Sequence, residues 1–159
     1  MVSHTLKTVA ASLLVGLCAL AWSGPAQAQT ARDPAFTWMA VVVHPSNTVG
    51  MLTRADVRRI FLRERMVWPN GETISVLERP AETAIRSQFD RRAIRKSPAA
   101  LADYWLNLRL TRGLDPPRVC PTAGLLKLYL QRLKGGVGYL YEHEVDHTTR
   151  VIAWIAVEP

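Results

Sequence analysis

Two hydrophobic spacings alternate along the chain. Met39-Ala40-Val41-Val42-Val43, inside Thr37 to His44, is a continuous apolar run of strand length, the pattern of a strand covered on both faces of a sheet. Pro45-Ser46-Asn47 stops it. Thr53 stands three residues before Asp56, and Val57, Ile60 and Phe61 follow at helical spacing, so residues 54–63 read as a helix. Trp68-Pro69-Asn70-Gly71 has the composition of a turn, and Ile74 and Val76 mark a short strand ending near Glu78-Arg79-Pro80. From Glu82 to Ile94, Ile85, Phe89 and Ala93 recur at a spacing of four, which predicts a second helix. Ser97-Pro98 supplies an N-cap and a first-turn proline for a third, 98–110, whose apolar side carries Leu101, Tyr104, Trp105 and Leu108. After the loop Gly113 to Pro117, a brief strand at 118–120 leads to Thr122, the cap of an apolar helix that runs through Leu133 and ends at Gly135-Gly136. Val137 to Tyr141 and Val151 to Ala156 read as closing strands around a polar hairpin segment, Glu142 to Arg150. Strands alternating with helices predict an α/β domain, a mixed sheet flanked by helices.

The N-terminal pattern is different. A polar stretch with Lys7, an apolar run from Val9 to Trp22 and the small-x-small triplet Ala26-Gln27-Ala28 form the three zones of a cleavable signal peptide, residues 1–28. The run falls short of the roughly 20 apolar residues a membrane span needs. The expectation is an exported, periplasmic domain at 29–159, with no membrane span after cleavage. Of the two cysteines, Cys18 leaves with the leader, so Cys120 has no intramolecular partner and reads as a small buried side chain. Cleavage removes one of the 20 basic residues, Lys7, and none of the 13 acidic ones, so the formal charge falls from +7 to +6. Such a surface favours anionic partners, but the basic residues are scattered, with Arg58, Arg59, Arg63 and Arg65 the densest group. A solvated helix face accounts for them better than a nucleic-acid surface does.

Several stretches, in order, resemble one lobe of the phosphate-binding periplasmic proteins of ABC transporters. These are Val41-Val42-Val43-His44-Pro45, Leu52-Thr53 with Val57, Ile60-Phe61-Leu62, Trp68-Pro69-Asn70-Gly71, Ile74 to Arg79 and, late in the chain, Gly135-Gly136-Val137-Gly138-Tyr139. The last is similar to the family's Pro-Gly-Ala-Ile-Gly-Tyr signature, with Lys134 and Gly136 in place of Pro and Ala. The resemblance implies a single three-layer lobe of the type II solute-binding fold.

It also implies an anion site. In the family an arginine at a strand end is followed by a Gly-Ser-Gly-Thr turn that opens a helix. Arg79 matches the arginine, and Glu82-Thr83-Ala84-Ile85-Arg86 lies over the turn and the basic residue beyond it. The implied anion contacts are Arg79, Thr83, Ala84 and Arg86, through helix N–H groups, a hydroxyl and charge-assisted hydrogen bonds. Both glycines are absent, Ile85 replaces the final Thr, and Glu82 brings a negative charge. The alternative is a loop that kept the fold and lost the ligand, with Glu82 favouring the helix dipole and pairing with Arg79 or Arg86. Residues 29–159 also supply about one lobe, so a ligand would lie on an open face unless a homodimer or another chain completed the cleft.

No catalytic arrangement emerges. His143-Glu144-Val145-Asp146-His147 satisfies H-E-x-x-H, but that zinc motif works only on a helix, and here it lies between two strand-like runs ahead of β-branched Thr148-Thr149. The reading is a non-enzyme with no metal and no cofactor. It is a solute-binding-like module for phosphate or another small anion of an ABC transporter, or an interaction domain presenting its basic helix 54–65 to a permease or another envelope protein.

Overall fold

The computed structural model describes residues 37–157, within the unit Arg32–Pro159. The expected leader, residues 1–28, lies outside the described residues. Five strands, β1 (Thr37–Val43), β2 (Ser75–Glu78), β3 (Arg118–Val119), β4 (Gly136–Tyr141) and β5 (Arg150–Val157), form one mixed sheet in the order β3-β2-β4-β1-β5. β1 runs antiparallel to β4 and β5, whereas β2 runs parallel to β3 and β4. Among the described residues four α-helices accompany the sheet: α1 (Arg54–Phe61), α2 (Ala84–Phe89), α3 (Pro98–Arg112) and α4 (Ala123–Arg132). α2 continues directly into a π-helical turn, Asp90–Ile94.

The unbroken apolar run of β1 is explained by its place. It has a strand on each side and helices over both faces, and Met39 through Val43 are fully buried. Met39, Val41 and Val43 join a core with Val57, Ile60 and Phe61 of α1, Ile85 and Phe89 of α2, and Leu101, Trp105 and Leu108 of α3. Ala40 and Val42 face the other way, into a smaller cluster with Leu77, Cys120, Leu140 and the α4 residues Leu126 and Leu130. Three layers result, as the resemblance implies.

The helix starts follow their caps. Thr53 and Asp56 form a reciprocal capping box on α1, Ser97 accepts from the Ala100 N–H on α3, and Thr122 accepts from the Leu125 N–H on α4. Cys120 is buried and unpaired, and burial raises its thiol pKa.

The joining of the last two strands corrects the sequence reading. β4 and β5 are not a hairpin, because β1 lies between them and pairs with both. Residues 142–149 are instead a short crossover. Val145 packs on the α4-side cluster, and Lys127 of α4 holds the segment by donating from Nζ to the Glu144 carbonyl (3.0 Å) and to Asp146 Oδ2 (2.7 Å). The crossover carries the chain past β1, so that β5 pairs along the edge that β4 leaves open.

Candidate functional site

Because β2 and β3 are parallel, the segments leaving them emerge at one edge of the sheet: Arg79-Pro80 leading to α2, and Cys120-Pro121 leading to α4. Two helix N-termini therefore face the same strand ends, where α/β sheets bind ligands. Tyr139 links this edge to β4, its hydroxyl accepting from the Arg79 N–H at 3.2 Å while its ring stacks on Phe89 at 3.9 Å. Burial raises the Tyr139 phenol pKa.

Arg86, one turn into α2, is buried and points inward. Its Nε donates to both oxygens of Asp90, at 3.0 and 2.8 Å, and its Nη1 donates to Glu78 Oε2 at 2.5 Å. Nη1 also approaches the Arg79 carbonyl at 3.4 Å. Glu78 is 4% exposed and Asp90 6%. One guanidinium thus faces two buried carboxylates. Burial pushes the Glu78 carboxyl up to about 7 against the pull of Arg86, and burial likewise raises the Asp90 pKa. Burial opposes the Arg86 charge, but Glu78 and Asp90 outweigh it and its pKa is raised.

Arg79 lies at the mouth of the edge. Its Nη2 donates to the Pro121 carbonyl at 3.5 Å, and its Nη1 stands 3.8 Å from Glu144 Oε1. Nε and Nη1 are buried and have no hydrogen-bond partner among the described residues. Glu144 is itself anchored, since Oε2 accepts from the Tyr141 N–H at 2.9 Å. Thr83 is the N-cap of α2, yet its hydroxyl donates to the Pro80 carbonyl at 2.7 Å and makes no cap hydrogen bond. Ala84, the first residue of α2, is exposed, as is Glu82.

The structure brings Arg79, Thr83 and Ala84 to the strand-end edge and turns Arg86 away into the core. The carboxylates facing the two arginines are Glu78, Asp90 and Glu144, rather than the expected Glu82. Asp90 was recoverable from its i, i+4 spacing to Arg86. Glu144 carried no such signal, because its meeting with Arg79 depends on the crossover.

The H-E-x-x-H segment forms a single 3-10 turn, Glu142–Glu144, and then extended backbone at Val145 (φ −76°, ψ 135°), so the two histidines do not share a helix face. His143 stacks on Tyr141, with centroids 5.5 Å apart. No group of three or more His, Cys, Asp or Glu among the described residues is arranged to hold a metal ion, and no described helix is long and apolar enough to cross a membrane.

Solved structures share this arrangement of strands and helices. An ABC-type phosphate transport receptor from Vibrio cholerae superposes with a TM-score of 0.60 at 21% identity, over 74% of this chain and 46% of the receptor. A candidate phosphate ABC transporter substrate-binding protein from Clostridium perfringens, solved with bound phosphate, gives 0.60 at 17% identity over 79% of this chain and 56% of its own. PstS from Borrelia burgdorferi gives 0.55 at 12% identity, covering 77% and 49%. The fold is that of a periplasmic binding-protein lobe. The chain spans about half the length of these structures. No protein-family model and no curated protein matches the sequence.

Proposed function

We propose that this chain is an exported, non-enzymatic solute-binding-like module. Its ligand edge is closed by its own carboxylates, and it acts by contact with an envelope partner, the permease of an ABC transporter or another periplasmic protein. The observation that carries this reading is the bonding of Arg86: Nε and Nη1 are taken by Asp90 and Glu78, and the side chain is buried. An incoming phosphate would compete with carboxylates already in place, and Glu144 beside Arg79 adds a further negative charge at the mouth. A lone lobe also lacks the opposing wall whose exclusion of water strengthens such bonds. The partner-facing candidate is the basic region 54–65. Arg54 and Arg59 are exposed there, while Arg58, Arg63 and Arg65 each donate to a backbone carbonyl.

One observation favours a second reading, weak capture of phosphate or another small anion. Arg79 keeps two N–H groups without hydrogen-bond partners, next to Thr83 and between two helix N-termini. An anion that displaced Glu144 would find those donors, and a homodimer closing a second copy over the edge would supply the missing wall. Calorimetric titration with phosphate, sulfate and small carboxylates separates the two. The closed-edge reading expects wild-type and Arg79→Ala protein to give the same isotherms with every anion. Saturable binding lost in Arg79→Ala sinks it in favour of anion capture.

A further inference from the structure

Elsewhere on the lobe the charge balance is reversed. The first half of α1 and the end of the π turn border an open concavity of about 420 Å3 lined by Arg54, Ala55, Arg58, Ala93 and Arg95. That volume lies within the roughly 300–1,000 Å3 of small-molecule sites. Arg58 is anchored at the rim by donating from Nε to the Ile94 carbonyl at 3.0 Å. Among the described residues no carboxylate forms an ion pair with Arg54, Arg58 or Arg95. Asp56, on the same turn of α1, is engaged elsewhere, its Oδ2 accepting from the Thr53 N–H (3.2 Å) and hydroxyl (2.5 Å). Three like charges around one concavity make it electropositive, a setting that favours an anion.

Arg95 supplies an independent observation. It ends the π turn with φ 58° and ψ 43°, a left-handed conformation that glycine adopts without strain and a larger side chain does not. The left-handed helix cap, which recurs at Arg63 (φ 56°), sets Arg95 on the cavity wall.

The geometry points to a second site, in which Arg54, Arg58 and Arg95 bind a multiply charged phosphate-type oxyanion. Planar guanidinium forks match the oxygens of phosphate groups in pairs, and three of them suit a ligand carrying two or more negative charges. Ala55 and Ala93 leave the space for it. A soluble diphosphate and the headgroup of an anionic lipid share this chemistry. The site goes beyond the closed ligand edge and does not depend on it, since it shares no residue with the strand ends.

Calorimetry with pyrophosphate at low ionic strength tests the site, comparing wild-type chain with the Arg54→Ala/Arg95→Gly double variant and with Arg79→Ala. Both residues of the double variant are exposed, and glycine relieves the left-handed backbone, so the fold is preserved. Binding by wild type and Arg79→Ala is expected to be saturable, at least about tenfold weaker in the double variant and weakened by added salt. Co-sedimentation with phosphatidylglycerol vesicles identifies the source. Binding to pyrophosphate alone assigns a soluble anion, and vesicle binding lost in the double variant assigns a headgroup. Absence of saturable binding in both assays, or binding undiminished in the double variant, overturns the site, and loss in Arg79→Ala alone moves the anion to the strand ends.

Discussion

Arg86 joins two carboxylates to one guanidinium, and all three side chains are buried, so the group holds one negative charge in excess when fully ionised. The excess falls on Glu78. Burial foremost, with Asp90 adding to it, keeps its carboxyl up to about 7 from an ordinary 4.5. The folded chain therefore holds a proton that the unfolded chain has released across that window. The stability this proton contributes is fully present below pH 4.5 and is lost as pH rises through about 7. Denaturant unfolding of wild type should show a decline on the order of 3 kcal/mol over the window, and Glu78→Gln should flatten it. A profile unchanged by Glu78→Gln would mean that another group titrates. Arg86→Leu strands two buried carboxylates and should cost about 3–5 kcal/mol at neutral pH by urea denaturation. A loss below about 1 kcal/mol, as for an exposed pair, would show that Arg86 is solvated.

Among the elements, most of what the spacing predicts is present, because each signal is local. The Thr53, Ser97 and Thr122 caps set the starts of α1, α3 and α4, and the apolar run of β1 announces burial on two faces. What the spacing missed depends on contacts distant in sequence. Val137 to Tyr141 and Val151 to Ala156 have the same pattern in a hairpin as in strands separated by β1, and only the sheet order distinguishes them. At Gly135 a long-range contact is hidden behind a local role. The residue reads as a helix stop, yet a Cβ there would stand 2.1 Å from the Thr73 carbonyl oxygen, which is backbone and cannot rotate aside. The Gly135 carbonyl also accepts from the Ser75 N–H and the Trp68 indole, both at 3.0 Å, and so fixes the start of β2 against β4. Gly135→Ala should destabilise by about 1–3 kcal/mol in thermal unfolding, and a neutral effect would contradict this close packing.

For the whole molecule, the candidate anion site was legible in part. Arg79 and Thr83 stand at the strand ends, where the resemblance implied a site. The direction taken by Arg86 was not legible, because it is set by Glu78 on the preceding strand and Asp90 on the following turn. The positive charge of the lobe is likewise unevenly spent. At the strand ends arginines face internal carboxylates, whereas around Arg54, Arg58 and Arg95 they face a cavity. A lobe whose strand-end arginines already face its own carboxylates has little to gain from phosphate, and Glu144 is the carboxylate a phosphate would first have to displace from Arg79. The most direct measurement is a side-by-side titration of inorganic phosphate into Arg54→Ala/Arg95→Gly protein with and without Glu144→Gln, which leaves only the strand ends to take the anion. The account predicts no saturable heat at millimolar phosphate while Glu144 is present and weak, measurable binding once it is neutralised. Micromolar saturation in the Arg54→Ala/Arg95→Gly background, unaffected by Glu144→Gln, would contradict it.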